Sequence, residues 1–131
     1  MVIINNGVLL LEFKNLISNV LIQIFVWLVL GDIASGLCKG IRKKEGNSTK
    51  GLPGLIKHLL VVCLVIVAYP YLKIMGFTSI ANGFVVFYIA VYGISVIENL
   101  GQLGVPVPSW IKNHLSKLKD ENDKGGRSDN G

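Results

Sequence analysis

The sequence predicts an all-α integral membrane protein with three transmembrane helices and a short C-terminal amphipathic helix at the membrane surface. Three uncharged or nearly uncharged apolar stretches, residues 16–37, 55–72 and 80–97, each approach the roughly 20 residues that a helix needs to cross about 30 Å of hydrocarbon. Only 16% of the 131 residues are charged and 51% are hydrophobic, whereas a soluble domain usually has about a quarter of its residues charged. Most of the positive charge lies between the first two stretches. A soluble globular domain is the disfavoured alternative.

The first element is a lead-in of residues 1–15, which forms either a short interfacial helix or an ordered segment before the first span. The membrane domain then extends over residues 16–100. In the first span Asn19 and Gln23 lie one helical turn apart and therefore share a face. Because lipid does not hydrogen-bond amides, we expect this face to contact protein.

A basic loop, residues 38–58, joins the first two spans and sets the predicted orientation. Cytoplasmic loops are enriched in Lys and Arg. The loop and the C-terminus are therefore expected on the inner side of the cytoplasmic membrane, and the N-terminus on the outer side. The same cations are expected to contact anionic lipid headgroups. The chain has no basic helix outside the membrane of the kind that binds nucleic acid. These cations are Lys39, Arg42, Lys43, Lys44, Lys50 and Lys57.

The second and third spans are separated by a short turn, residues 73–79, and are predicted to form an antiparallel hairpin. Gly83, Ala90 and Gly93 place small residues along one side of the third span, which lets another backbone approach closely. Gly36 and Gly40 form a second small-residue pair at the cytoplasmic end of the first span. Helix packing and simple loop flexibility both remain open for this pair.

The C-terminal part, residues 101–131, differs in character from the spans. The Pro-rich segment 105–108 cannot continue a helix, and Ser109 is a good N-cap for a new one. Residues 101–119 are predicted to include an amphipathic helix at the membrane surface. Residues 120–131 have no apolar side chain and are predicted to be disordered.

Three polar residues inside or at the ends of the spans are the candidate functional groups. Asp32 has no cation one turn away on its own helix, so it needs a partner from another helix, a water-filled space or a proton, unless the helix ends near residue 30. Glu98 and Asn99 lie at nearly the same depth in the third span. We predict no cofactor and no metal site, because His58 and His114 are scattered and no nucleophile lies near a base. The chain is therefore not expected to be an enzyme.

Four short motifs follow one another along the chain and together cover about residues 27–118. They are Gly31-Asp32-x-x-x-Gly36-x-x-x-Gly40, Ser48-x-x-Gly51-x-x-Gly54-x-x-Lys57, Ser95-Val96-Ile97-Glu98-Asn99 and Gly104-Val105-Pro106-Val107-Pro108. In order and spacing these motifs resemble those of the phage-lysis and toxin-secretion holins of Gram-positive bacteria and their phages.

The resemblance implies a protein that oligomerises with itself in the host cytoplasmic membrane and forms lesions. These lesions release a wall-degrading endolysin or, in relatives, a large toxin, with no direct contact required between holin and cargo. The chain departs from the family where Tyr92 replaces an acid, and where Ala68 and Tyr69 stand in place of another polar residue. Roles of those acids cannot be transferred, whereas Asp32, Glu98 and Asn99 match. The alternative function is a non-pore membrane partner, either an antiholin or a small transporter subunit.

Overall fold

The computed structural model describes the backbone of residues 5–42 and 48–123 and the side chains of residues 5–41 and 52–123. Within these ranges every regular element is an α-helix, so the predicted all-α class is confirmed. The helices are α1 (Asn6–Asn15), α2 (Val20–Arg42), α3 (Ser48–Ile74), α4 (Thr78–Gln102) and α5 (Ser109–Asp123). The basic residues Lys43 and Lys44 lie outside the described residues, as do the side chains of Arg42 and Lys50.

Three helices are long and apolar enough to cross a membrane, over Val20–Ile41, Leu52–Ile74 and Thr78–Gln102. They also expose large apolar side chains, among them Trp27, which is 73% exposed, and Leu60, which is 65% exposed. Contiguous exposed apolar surface of this kind is uncommon on soluble monomers. It is the expected surface of helices surrounded by lipid.

Helix α2 begins at Val20 because Asn19 caps it. The Asn19 Oδ1 atom accepts hydrogen bonds from the backbone N–H groups of Leu21 at 2.9 Å and Ile22 at 3.3 Å. An Asn side chain at the N-cap satisfies N–H groups that have no partner within the helix. The helix therefore starts four residues after the apolar stretch does, and it continues through Asp32 to Arg42.

Helices α3 and α4 form an antiparallel hairpin around a tight turn at Gly76, which has a φ of +86°. Only glycine adopts this backbone conformation without steric cost. Pro70 lies inside α3 and does not end the helix, which continues to Ile74. We call the end of the bundle at this turn the turn end. The opposite end, where α2 ends and α3 begins, is the loop end.

Helix α4 is the centre of the molecule, because it packs against α2, α3 and α5, whereas α2 and α3 barely touch each other. Phe25, Val65 and Val85, one from each spanning helix, are fully buried where the three helices meet. The Phe25 ring makes edge-to-face contacts with Tyr88 and Tyr92 of α4. The bundle thus has a dry aromatic and aliphatic middle layer.

The predicted C-terminal helix is present as α5, and it packs back along α4. A Cβ atom added at Gly93 would lie 3.0 Å from Leu115, and one added at Gly83 would lie 3.0 Å from Asn122 Oδ1. The reversal of the chain between α4 and α5 is formed at Gly104, which has a φ of +87°. It includes a hydrogen bond from the Val105 N–H to the Leu100 carbonyl at 2.9 Å. The helix continues to Asp123, past the predicted boundary at residue 119, and residues 124–131 lie outside the described part of the chain.

The small-residue side of α4 therefore contacts α5 of the same chain. Gly83 and Gly93 meet α5 side chains directly, and Ala90 is fully buried between them along the helix. Of the second small-residue pair, Gly36 lies near the Asn99 side chain, whereas a Cβ added at Gly40 would meet nothing within 4 Å.

Candidate functional site: a polar cluster between the spanning helices

The most buried charged group in the described chain is the carboxylate of Asp32, which is 8% exposed. Asp32 lies nine residues before Ile41, which places it about 14 Å along the helix from the loop end of the candidate span. Helix α2 does not end near residue 30, so the carboxylate is not released into water there. A charge at this depth in a bilayer needs a partner from the protein or a water-filled space.

Helix α4 supplies that partner. Ser95 Oγ donates a hydrogen bond to Asp32 Oδ1 at 2.5 Å, and Asn99 Nδ2 donates to the same oxygen at 3.1 Å. Ser95 and Asn99 are four residues apart and therefore project from the same side of α4. Two donors on one helix thus hold one carboxylate oxygen of another.

Helix α3 contributes His58 to the other side of the carboxylate. His58 Nε2 lies 3.7 Å from Asp32 Oδ2, and His58 Nδ1 lies 2.9 Å from the Tyr92 hydroxyl. The two rings also lie against each other, with centroids 5.4 Å apart. His58 therefore connects α3 to both α2 and α4 through a single side chain.

Asn99 connects the carboxylate to further groups near the loop end. Its Nδ2 donates to Ser35 Oγ at 3.0 Å, and its Oδ1 accepts a hydrogen bond from Lys39 Nζ at 3.1 Å. Ser35 Oγ in turn donates to the Asp32 backbone carbonyl at 3.2 Å. We refer to these seven residues as the Asp32 cluster: Asp32, Ser35, Lys39, His58, Tyr92, Ser95 and Asn99.

The cluster borders a recess of about 560 Å³ between the loop ends of α2 and α3. Apolar side chains of both helices form its walls, including Ile33, Leu37 and Leu55, and Asp32, His58 and Asn99 contribute polar groups to its lining. The described residues contain no grouping of three or more His, Cys, Asp or Glu side chains suited to a metal ion. The polar groups of the cluster therefore hold the three spanning helices together through hydrogen bonds.

A second, smaller polar contact ties the helices together near the turn end. Asn19 Nδ2 donates to the Tyr69 hydroxyl at 2.9 Å, and that hydroxyl donates to Asn82 Oδ1 at 2.7 Å. Lys73 and Glu12 pair at 3.2 Å and join α1 to α3. The three spans are therefore cross-linked by polar side chains on both sides of the dry middle layer.

The sequence-predicted site residues divide into those that enter these clusters and those that do not. Asp32 and Asn99 lie together, and Asn19 meets Tyr69. Gln23 is exposed and donates to the Ile17 carbonyl at 2.8 Å, so it does not share the protein-facing side of Asn19.

Glu98 points away from the cluster and pairs with Lys112 of α5 at 3.3 Å. Of the loop cations with described side chains, Lys39 joins the cluster and Lys57 is exposed.

Sequence reasoning did not assign Ser35, His58, Tyr92 or Ser95 to the site. Tyr92 stands out in the sequence only as a departure from the resembled family, and its hydroxyl proves to be a partner of His58. The four-residue spacing of Ser95 and Asn99 could have indicated that Ser95 lies on the same side of α4 as Asn99. The positions of His58 and Ser35 depend on how the helices rotate against one another, which no local pattern reports.

Comparison with known proteins then identifies the family. The model of the bacteriophage holin family matches residues 12–120, most of the chain. The chain belongs to this family. It is 34% identical over 99 residues to a probable holin of Bacillus phage phi105, which covers 75% of this chain and 73% of the phage protein.

Other relatives of this holin-family protein come from bacteria. An uncharacterised protein of Clostridium perfringens is 36% identical over 105 residues, covering 79% of this chain and 76% of that protein. An uncharacterised 14.9 kDa protein of the same organism is 38% identical over 103 residues, covering 77% of each chain. No solved structure matches. Membership in the holin family points to a non-enzymatic membrane protein with several spans.

Proposed function

We propose that this protein is a holin that oligomerises in the bacterial cytoplasmic membrane and opens lesions through which a wall-degrading endolysin or a large toxin leaves the cell. The observation that carries the proposal is the family match over residues 12–120, which includes all three spans and most of helix α5. The probable holin among the relatives supports it. The partners of the protein are then other copies of itself and membrane lipids.

The polar clusters support a mechanism in which each chain diffuses as a closed bundle. The buried groups Asp32 and Asn99 and the half-buried Asn19 all have protein partners. Lipid offers no hydrogen bonds, so these partners keep the three spans together before assembly. In the packed structure α5 covers Gly83 and Gly93, so we assign the contact between assembled copies to the exposed sides of α2 and α3.

We further propose that the loop end is cytoplasmic. Lys39 and Lys57 lie at this end of the described structure, and the loop carries further cations in the sequence. Labelling with a membrane-impermeant thiol reagent tests this orientation in two variants, Lys44→Cys and Thr78→Cys, each with Cys38 and Cys63 replaced by Ser. We expect the Thr78→Cys variant to be labelled from outside and the Lys44→Cys variant to stay unlabelled, and the reverse would contradict the proposal.

Complementation of a holin-defective phage tests the proposed function. Expression of the full chain is expected to restore abrupt lysis at a defined time, because it would admit the phage endolysin to the wall. Continued growth of cells that contain the protein in their membranes would contradict the proposal. Co-expression with an intact lysis cassette separates the antagonist from the pore-former: delayed lysis would indicate an antiholin, and early lysis supports a holin.

A further inference from the structure

Helix α5 presents a charged surface along the side of a membrane-spanning helix. It packs against α4 alone among the described helices, so its opposite face meets whatever surrounds the molecule. The side chains directed at α4 include Leu115 and Asn122. The exposed side chains include six charged residues: Lys112, Lys117, Lys119, Asp120, Glu121 and Asp123.

The depth of α5 follows from its contacts with α4. Gly93, which meets Leu115, lies nine residues before Gln102 and therefore about 14 Å from the loop end of α4. Gly83, which meets Asn122, lies about 28 Å from that end. With the candidate span α4 placed across the bilayer, α5 runs along it past the middle, which puts Lys117 to Glu121 at hydrocarbon depth.

Lipid cannot be the medium that faces this surface. Charged side chains at the bilayer centre are rare, and they face protein or a water-filled space when they occur. The exposed side of α5 has only one ion pair to another described helix, between Lys112 and Glu98 at 3.3 Å, and that pair lies near the loop end. Neighbouring copies offer apolar side chains on α2 and α3, which leaves water as the medium beside the packed helix.

An isolated chain in a bilayer has no such water, whereas an assembled hole does. Resting on the proposed holin function, we infer that α5 is the water-facing wall of the hole: its charged face lines the opening while the apolar faces of α2 and α3 contact lipid and neighbouring copies. Before assembly the amphipathic helix lies at the cytoplasmic surface, where its charges are hydrated. Movement of α5 onto α4 accompanies opening.

A disulfide between α4 and α5 tests this position in the full-length chain. In a background with Cys38→Ser and Cys63→Ser, the pair Gly83→Cys and Asn122→Cys puts two thiols across the α4–α5 contact, because a Cβ atom at Gly83 would lie 3.0 Å from Asn122 Oδ1, which is two bonds from the Asn122 Cβ atom. A membrane-permeant oxidant is added to equal samples before and after lysis begins, and we expect the intrachain disulfide to be nearly absent in the first and to form in most chains in the second. The control pair is Gly83→Cys with Asn113→Cys, which lies nine residues earlier on α5, and it is expected to stay reduced.

A substitution on α5 distinguishes its proposed role as the wall of the hole from two other roles for this helix. Leu115→Asn removes the apolar contact with Gly93 and leaves α4 unchanged. We expect lysis to be strongly delayed or lost although the protein accumulates in the membrane, and the matched exposed substitution His114→Asn to lyse at the normal time. Earlier lysis of Leu115→Asn would show that α5 masks α4, and unchanged lysis would show that α5 stays at the surface. Either result overturns the inference.

The same experiments distinguish failure of this inference from failure of the proposed function. If the cysteine-free chain never permeabilises the membrane, both the holin function and the wall assignment fall. If it permeabilises the membrane but the Gly83→Cys, Asn122→Cys pair stays reduced, the holin function stands and only the assignment of α5 is overturned.

Discussion

At the scale of single residues, the buried carboxylate of Asp32 is the group on which the arrangement of the spans depends most. It has two donors on α4 and a histidine on α3, so one side chain joins three helices. Removing one member of such a network leaves the others buried without partners, which costs about 1–3 kcal/mol for a polar group. Hydrogen bonds between membrane helices contribute about 0.6 kcal/mol on average and at most about 1.7 kcal/mol when measured by double-mutant cycles.

Asp32→Leu is therefore expected to lower the free energy of unfolding by about 1–3 kcal/mol, because the Ser95 hydroxyl loses its acceptor and the Asn99 amide loses one of its two acceptors. Asp32→Asn keeps an acceptor oxygen and is expected to lose less. Unfolding in mixed detergent micelles measures both. The control is Glu98→Leu, the same loss of an acid at an exposed position. A loss for Glu98→Leu as large as that for Asp32→Leu would contradict the account.

The sequence identified part of this site for a clear physical reason. An acid within an apolar stretch is conspicuous, and Asp32 and Asn99 could be proposed from their depth alone. In the sequence His58 is only one of two scattered histidines, and Tyr92 only a departure from the resembled family. Their contact at 2.9 Å depends on the rotation and offset of α3 relative to α4, which are properties of packing.

At the scale of helices, close packing rather than apolar burial holds the bundle together. Lipid is as apolar as the interior, so moving a side chain from one to the other contributes little. The stabilisation comes instead from the packing contacts of groups such as Phe25, which is fully buried against Tyr88 and Tyr92. Exposed aromatic residues such as Trp27 lack this contribution.

Phe25→Ala tests this difference. It leaves a cavity of roughly 100 Å³, which at about 24 cal/mol per Å³ lowers the free energy of unfolding by about 2 kcal/mol. Trp27→Ala removes a larger side chain that is 73% exposed, and lipid or detergent fills the space, so we expect almost no change. Unfolding in mixed micelles compares the two. An equal loss for both variants would mean that α2 does not present these faces to protein and lipid respectively.

The elements themselves were largely predictable, and their partners were not. The apolar stretches predicted three helices, and Ser109 predicted the start of α5. The small residues Gly83 and Gly93 predicted a close approach to α4, but another copy of the chain and α5 satisfy that pattern equally well. The apolar side of α5 likewise fits either a membrane surface or α4. Only the packed structure shows which contact is made within one chain.

At the scale of the whole molecule, the chain has two unlike sides. Helices α2 and α3 expose apolar side chains, whereas α5 exposes charged ones along much of the same length. A ring of such molecules can present one side to lipid and the other to water. This arrangement suits the assembled state that we propose, whereas in a single chain the charges of α5 are hydrated at the membrane surface.

Release of a large cytoplasmic enzyme from wall-weakened cells that express only this chain tests the central claim most directly. We expect normal growth and a sealed membrane at first, with the protein recovered in the membrane fraction, followed by abrupt loss of the enzyme to the medium of wall-weakened cells. Retention of the enzyme at high levels of membrane-inserted protein would contradict the claim, as would recovery of the protein as a dispersed particle without detergent.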